Sequence, residues 1–167
     1  VEKGPVFKLT IQLAVAIVIF YALSLLPVWN LTCSWLVRVD ARFSAALLSA
    51  LGEQCNVSGA SIFKAGCGIT VEPNCSAIEF IVFYFAAVFS FPAPLLRKIL
   101  GLFLGGSCIF GLNLLRIASL YWIESHLPAF FDVAHMRAWP SVLVIVTLLL
   151  FIAWIQWSVK PNEAILS

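Results

Sequence analysis

Charge is scarce in this sequence. Only 11% of its 167 residues are Asp, Glu, Lys or Arg, against 62% hydrophobic ones, and the mean hydropathy is +1.04. A soluble domain needs far more charge to solvate its surface, so a water-soluble globular protein is excluded. The net charge of +2 is too small to imply a nucleic-acid partner. Histidine is scarcer still, with His126 and His135 alone. Neither they nor the five cysteines fall at metal-ligand spacing, so no metal and no cofactor are expected. A C-x-x-C pair is also missing, and with it the usual mark of a dithiol redox centre. No internal repeat or low-complexity stretch is visible.

Long apolar runs take the place of charge. A bilayer core about 30 Å thick needs roughly 20 apolar residues in a helix. Four runs qualify, at about 6–28, 76–91, 99–123 and 140–159. The expected architecture is therefore all-α: one integral membrane domain, 1–167, built as a bundle of four transmembrane helices. The first run follows Lys3 and Lys8 like a signal peptide, with Ala22-Leu23-Ser24 as a small-x-small site. It continues through Leu25, Leu26, Val28 and Trp29, beyond what such a peptide needs, and reads as an uncleaved span. Ala93, Leu95 and Leu96 extend the second run past Pro92 and Pro94 until Arg97-Lys98 closes it, which reads as a tight helix-to-helix turn.

Lys3, Lys8, Arg97, Lys98 and Lys160 crowd the span ends on one side, whereas Arg38, Arg42, Lys64 and Arg137 are spread over two longer loops on the other. The denser side is the cytoplasmic one. Loops at about 29–75 and 124–139 then face outward. In the first, Leu36, Val39, Phe43, Leu47 and Leu51 recur at helical spacing opposite Arg38, Arg42 and Ser49, with Gly52 as a stop. This predicts an amphipathic helix lying on the outer surface or capping the bundle. Val57 to Phe63 and Ile69 to Val71 flank Lys64-Ala65-Gly66, which predicts a short β-hairpin leading to Cys75.

Ionisable residues within spans are costly and usually functional. Two occur, Glu79 and Arg116, both near outer helix ends, and Asn113 shares the face of Arg116. A structural ion pair between Glu79 and Arg116 explains them as well as chemistry does. Cys75 shifts the balance, because topology puts it at the depth of Arg116 and a nearby cation favours a thiolate. Cys108, inside the third span, reads as a packing residue. His135 stands four residues before Trp139-Pro140, where the last helix can hold it, while His126 lies just past the third span. Cys75, Arg116 and His135 on three outer helix ends meet the needs of thiol acyl transfer: a nucleophile, an oxyanion stabiliser and a proton carrier.

Asn74-Cys75-Ser76-Ala77-Ile78 leading into one span, Asn113-Leu114-Leu115-Arg116-Ile117 in the next, and His135 before the last resemble the exosortase and archaeosortase family. The likeness covers about Gly59 to Val159, and the short length points to the compact exosortase H branch. The resemblance implies a membrane-embedded cysteine protease and transpeptidase of the bacterial inner membrane, its site facing the periplasm. Its partners would be the lipid bilayer and membrane-anchored proteins with a C-terminal sorting signal: a recognition motif, a transmembrane helix and a basic cluster. Carried over by position, Cys75 is the nucleophile, His135 the general base and acid, and Arg116 the oxyanion or thiolate stabiliser. Asn113, Glu79 and Ser76 support them. Ala77 departs from the family pattern, for larger members usually carry glycine there.

Two rivals stay open. A four-helix thiol-disulfide oxidoreductase has this size, and Cys33, Cys55, Cys67 and Cys75 all lie in the first outer loop; two of the first three could form a structural disulfide in such a compartment. A non-catalytic scaffold is supported by Gly101 and Gly105 at helix-packing spacing.

Overall fold

A computed structural model describes residues 5–64 and 66–159. Lys3, Ala65 and Lys160, which enter the expected topology and turn, lie outside the described residues, as do the side chains of Lys8 and Asn74. The chain runs α1 (Pro5–Ser24), α2 (Pro27–Ala50), β1 (Asn56–Ser58), β2 (Ser61–Lys64), β3 (Cys67–Thr70), α3 (Ile78–Ser90), α4 (Leu95–His126), a single turn α5 (Phe131–Val133) and α6 (Trp139–Val159). The long α4 is the spine, packed against α2, α3 and α6, while α1 leans on α3.

The helix-rich membrane architecture agrees with the sequence; the span count is less simple. Two stretches, Leu95–His126 and Pro128–Val159, are each long and apolar enough to cross a membrane. The helices Thr10–Ser24 and Pro27–Ala50 meet at 90° and make at most one broken or re-entrant span. At 13 residues α3 is about 20 Å long, short of a bilayer core of about 30 Å. Two to three candidate spans follow from length and composition, and the count of four is not reached on these grounds.

The first apolar run does not continue as one helix to Val28. Leu26 is extended (φ −78°, ψ 143°) and Pro27 opens α2, because proline pushes the preceding residue out of the helical region. Val28 and Trp29 thus belong to α2. The second correction concerns the face of α2. Its buried positions are Cys33, Val37, Asp40, Ala41, Ser44, Ala45 and Leu48, whereas Phe43 and Leu51 of the predicted stripe are 55% and 72% exposed. In lipid a large apolar side chain has no need of a protein partner, so the small residues take the contact with α4. The third concerns the hairpin. Val57 to Phe63 is not one strand: it reverses at Gly59 (φ +63°), and β1, β2 and β3 form a three-stranded antiparallel sheet in that order. Finally, Leu95 and Leu96 do not extend the second run but form the first turn of α4, after the Pro92–Pro94 turn.

Gly101 and Gly105 pack as their spacing predicts. A Cβ at Gly101 would run into the Trp154 indole, and one at Gly105 into the Tyr84 ring. The same rings tie the helices together, Tyr84 Oη donating to Gly101 O (3.1 Å) and Trp154 Nε1 to Arg97 O (2.9 Å). Arg97 Nη1 donates to Ser158 O at 2.6 Å and Lys98 Nζ to Phe89 O at 2.8 Å, closing the bundle end opposite the sheet. Outside these contacts large apolar residues lie open, such as Phe103 at 71% and Leu149 at 59%. Such a surface suits lipid rather than water.

Candidate active site

Cys75 is held by a sequence of tight local turns. Val71 closes β3 by donating its N–H to Ala60 O (2.9 Å), and Pro73–Cys75 forms one 3₁₀ turn. The Cys75 N–H donates to Glu72 O (2.8 Å) and the Ser76 N–H to Pro73 O (3.1 Å). Ser76 Oγ donates to the same Pro73 carbonyl at 2.9 Å, so Ser76 serves the turn. Ala77 follows at φ 40°, ψ 9°, the one non-glycine residue with positive φ among the described residues, and α3 begins after it. The departure from glycine noted in the sequence therefore falls on a left-handed backbone that glycine adopts at less cost. The thiol ends up buried among Val37, Ile62, Val71, Ile117 and Tyr121, with the start of α3 close by.

His135 comes from a different local irregularity. Residues Ala134–Ala138 form a π turn between α5 and α6, an extra residue wound into the helix start. The imidazole rests against Phe131 with ring centroids 5.5 Å apart, and its Nε2 stands 3.2 Å from Cys75 Sγ. This is hydrogen-bonding distance for sulfur, and the ring can take the thiol proton when Nε2 is the unprotonated nitrogen. His126 goes elsewhere: it stacks on Trp122 at 4.7 Å and its Nδ1 lies 3.0 Å from Trp122 O, at the end of α4.

Among the described residues no hydrogen bond joins the Arg116 side chain to Cys75 or His135. Arg116 is 4% exposed on α4, and its buried Nε has no hydrogen-bond partner. No carboxylate pairs with it; among the described residues the one ion pair is Lys64–Glu53 at 3.3 Å. Cys75 and His135 are titratable groups within reach of the Arg116 charge. The expected alternative of a Glu79–Arg116 ion pair fails, since Glu79 is exposed and makes no ion pair with Arg116. Asn113 is 1% exposed, but its partner is Asp40: Nδ2 donates to Asp40 Oδ2 at 3.4 Å. Asp40 is hard to recognise as a bundle residue from the sequence, because the spacing along α2 suits a surface helix. A signal is present all the same, since Asp40 shares the face of Val37, Ala41 and Ser44.

A cleft of about 550 Å³ opens over the pair. Gly68 to Glu72 line it from the third strand and the segment after it, and Ile117, Leu120, Pro128 and Phe131 line it from α4 and the segment that follows. Cys75 and His135 both line it, as do the carboxylates Glu72, Glu124 and Asp132, which belong to no motif in the sequence. All five cysteines are free, so no disulfide links Cys33, Cys55 and Cys67. Cys67 Sγ lies 3.2 Å from Ser125 Oγ, and Cys55 Sγ donates weakly to Ala45 O at 3.9 Å. Burial, with the nearby Glu53 charge, pushes the Cys55 thiol up from its ordinary value and keeps it protonated. Cys108 is exposed on α4 and is not the packing residue expected. No group of His, Cys, Asp and Glu among the described residues is arranged for a metal ion.

No curated protein and no solved structure matches the chain. A family model does match, and it reaches further toward the N-terminus than the likeness seen from motifs, which begins at about Gly59. Residues 4–154 match the transmembrane exosortases, and the chain belongs to that family.

Proposed function

We propose that this exosortase is a cysteine protease and transpeptidase, of the compact exosortase H kind, acting on membrane-anchored exported proteins at the outer face of the bacterial inner membrane. The observation that carries the proposal is the Cys75 Sγ–His135 Nε2 approach of 3.2 Å, with both residues lining one cleft. His135 takes the thiol proton, and the sulfur attacks the carbonyl carbon of the scissile amide. The C–N bond breaks, the leaving amine receives the proton from His135, and the substrate stays on Cys75 as a thioester. Water or an acceptor nucleophile then gives its proton to His135, attacks the thioester and frees the thiol.

The tetrahedral intermediate needs a counter-charge. The N–H groups of Cys75 and Ser76 are already engaged in the turn, so they are poor candidates. Arg116, buried and without a carboxylate, supplies the positive field. Substrates carry a C-terminal motif, a transmembrane helix and a basic cluster, and with Arg97 and Lys98 at the cytoplasmic end of α4, Cys75 belongs to the outer end. The thiol-disulfide reading has less support, since the sulfur of Cys75 meets a histidine and no second cysteine.

The test replaces Cys33, Cys55, Cys67 and Cys108 together by Ala or Ser. This variant should process a C-terminally tagged substrate and accumulate a hydroxylamine-sensitive thioester, whereas Cys75→Ala in the native background forms no adduct. A folded Cys75-only protein that is inactive and yields mixed disulfides instead would replace the protease reading with a redox one.

A further inference from the structure

The cleft wall that leads to Cys75 is the open edge of a sheet. In the order β1-β2-β3 the last strand has a neighbour on one side only, and its residues from Gly68 to Val71 line the cleft. Antiparallel pairing fixes which backbone groups face outward. Val71 donates to Ala60 O, so Val71–Ala60 is a hydrogen-bonded pair, and by alternation so are Ile69–Ile62 and Cys67–Lys64. Thr70–Ser61 and Gly68–Phe63 are then the pairs without mutual backbone bonds. The 2.9 Å contact between the Ser61 and Thr70 hydroxyls fits this, because side chains approach more closely at such pairs. The N–H and C=O of Gly68 and Thr70 consequently point away from β2. No other backbone hydrogen bond between described residues uses them.

We infer that β3 is the docking strand for the substrate, whose extended segment adds to it as a fourth strand and is thereby led to Cys75. The inference rests on the protease reading and names how that site holds its chain. Three observations favour a polypeptide in this position. The outward donors and acceptors repeat every second residue, the spacing of a strand. The strand runs without interruption into the turn that carries Cys75, so an occupant of the edge passes the nucleophile. The rim carries Glu72, Glu124 and Asp132 and no lysine or arginine, which suits neutral or basic side chains. Pairing also removes a cost, because a peptide backbone drawn to the edge of a bilayer loses the water that satisfied its amides. Gly68 keeps the edge flat, since a Cβ there would stand 2.8 Å from Phe63 Cβ.

The alternation supplies the test. Thr70→Pro deletes a donor on the open edge and none of the β2–β3 ladder, a position where a strand tolerates proline. Thr70→Ala controls for the hydroxyl contact with Ser61. The probe is acetyl-Val-Thr-Val-Lys with a C-terminal vinyl sulfone, which alkylates a thiol, and methyl vinyl sulfone reports the intrinsic reactivity of Cys75. With the full chain in detergent, the peptide probe should label Cys75 faster than methyl vinyl sulfone does. Thr70→Pro should lower the peptide rate about five- to tenfold, the scale of one or two hydrogen bonds, and Thr70→Ala should not. Methyl vinyl sulfone should label all three proteins alike.

On the unmodified enzyme, N-methylation of the peptide should slow labelling at alternate residues. Equal peptide labelling of Thr70→Pro and the parent, N-methyl effects without alternation, or a peptide no faster than methyl vinyl sulfone would each overturn strand addition. If methyl vinyl sulfone itself leaves Cys75 unlabelled, the protease reading falls, and strand addition with it.

Discussion

Cys75 and His135 are 60 residues apart in the chain, and their Sγ and Nε2 atoms are 3.2 Å apart in space. Each is presented by a short departure from regular structure, a 3₁₀ turn for the cysteine and a π turn for the histidine. The two histidines should therefore separate cleanly. His135→Ala is expected to lower processing of a tagged substrate by at least about a hundredfold, the usual scale for a lost general base. His126→Ala removes a helix-end contact with Trp122 and should keep most activity. Immunoblots of both variants against the parent decide it, and the opposite ranking would dismiss the pair.

Arg116 lacks a carboxylate partner, so its replacement tests charge shape more than charge. Lysine keeps the positive charge but loses the planar fork and the position of the guanidinium. Arg116→Lys should remain folded in the membrane, as judged by detergent gel filtration, and lose most processing. Activity near the parent level would assign the residue to packing.

The orientation of the bundle is open to labelling. A membrane-impermeant thiol reagent applied from outside should reach Lys64→Cys in β2 and Arg137→Cys in the π turn. Lys98→Cys, at the other end of α4, should be protected until the membrane is opened. Labelling of Lys98→Cys from outside would invert the proposed topology.

Gly105 gives a prediction about stability. Because its missing Cβ is the space taken by the Tyr84 ring, Gly105→Ala forces that ring aside or parts α3 from α4. A cost of about 1–3 kcal/mol is expected from such overpacking. Thermal unfolding in detergent should show it as a lowered Tm, and Gly111→Ala, where a Cβ meets nothing within 4 Å, is the control.

The approach of Cys75 to His135 in the candidate site is legible in the sequence, for a definite reason. Chemically distinctive residues are so rare here that Cys75, Arg116 and His135 stand out against an apolar background, and their neighbourhood follows from where helices end. The illegible part depends on faces. Along α2, hydrophobicity marks lipid-facing and protein-facing positions alike, so the stripe from Leu36 to Leu51 misleads, and the small residues around Asp40 carry the contact. Glu79 is misplaced because sequence gives its depth without its direction. The break before Pro27 is readable from the proline rule, but the hydropathy of Val28 and Trp29 masks it.

The π turn at Ala134–Ala138 has an implication for lineage. A helix that absorbs one surplus residue can also lose it, and each residue added or removed rotates the segment before it by about 100° relative to the segment after it. A descendant shortened by one position between Phe131 and Trp139 would retain a cysteine, an arginine and a histidine in the same order, yet its imidazole would be swung away from the sulfur. If Cys75 and His135 act together as proposed, the length of this one segment decides whether their atoms can meet.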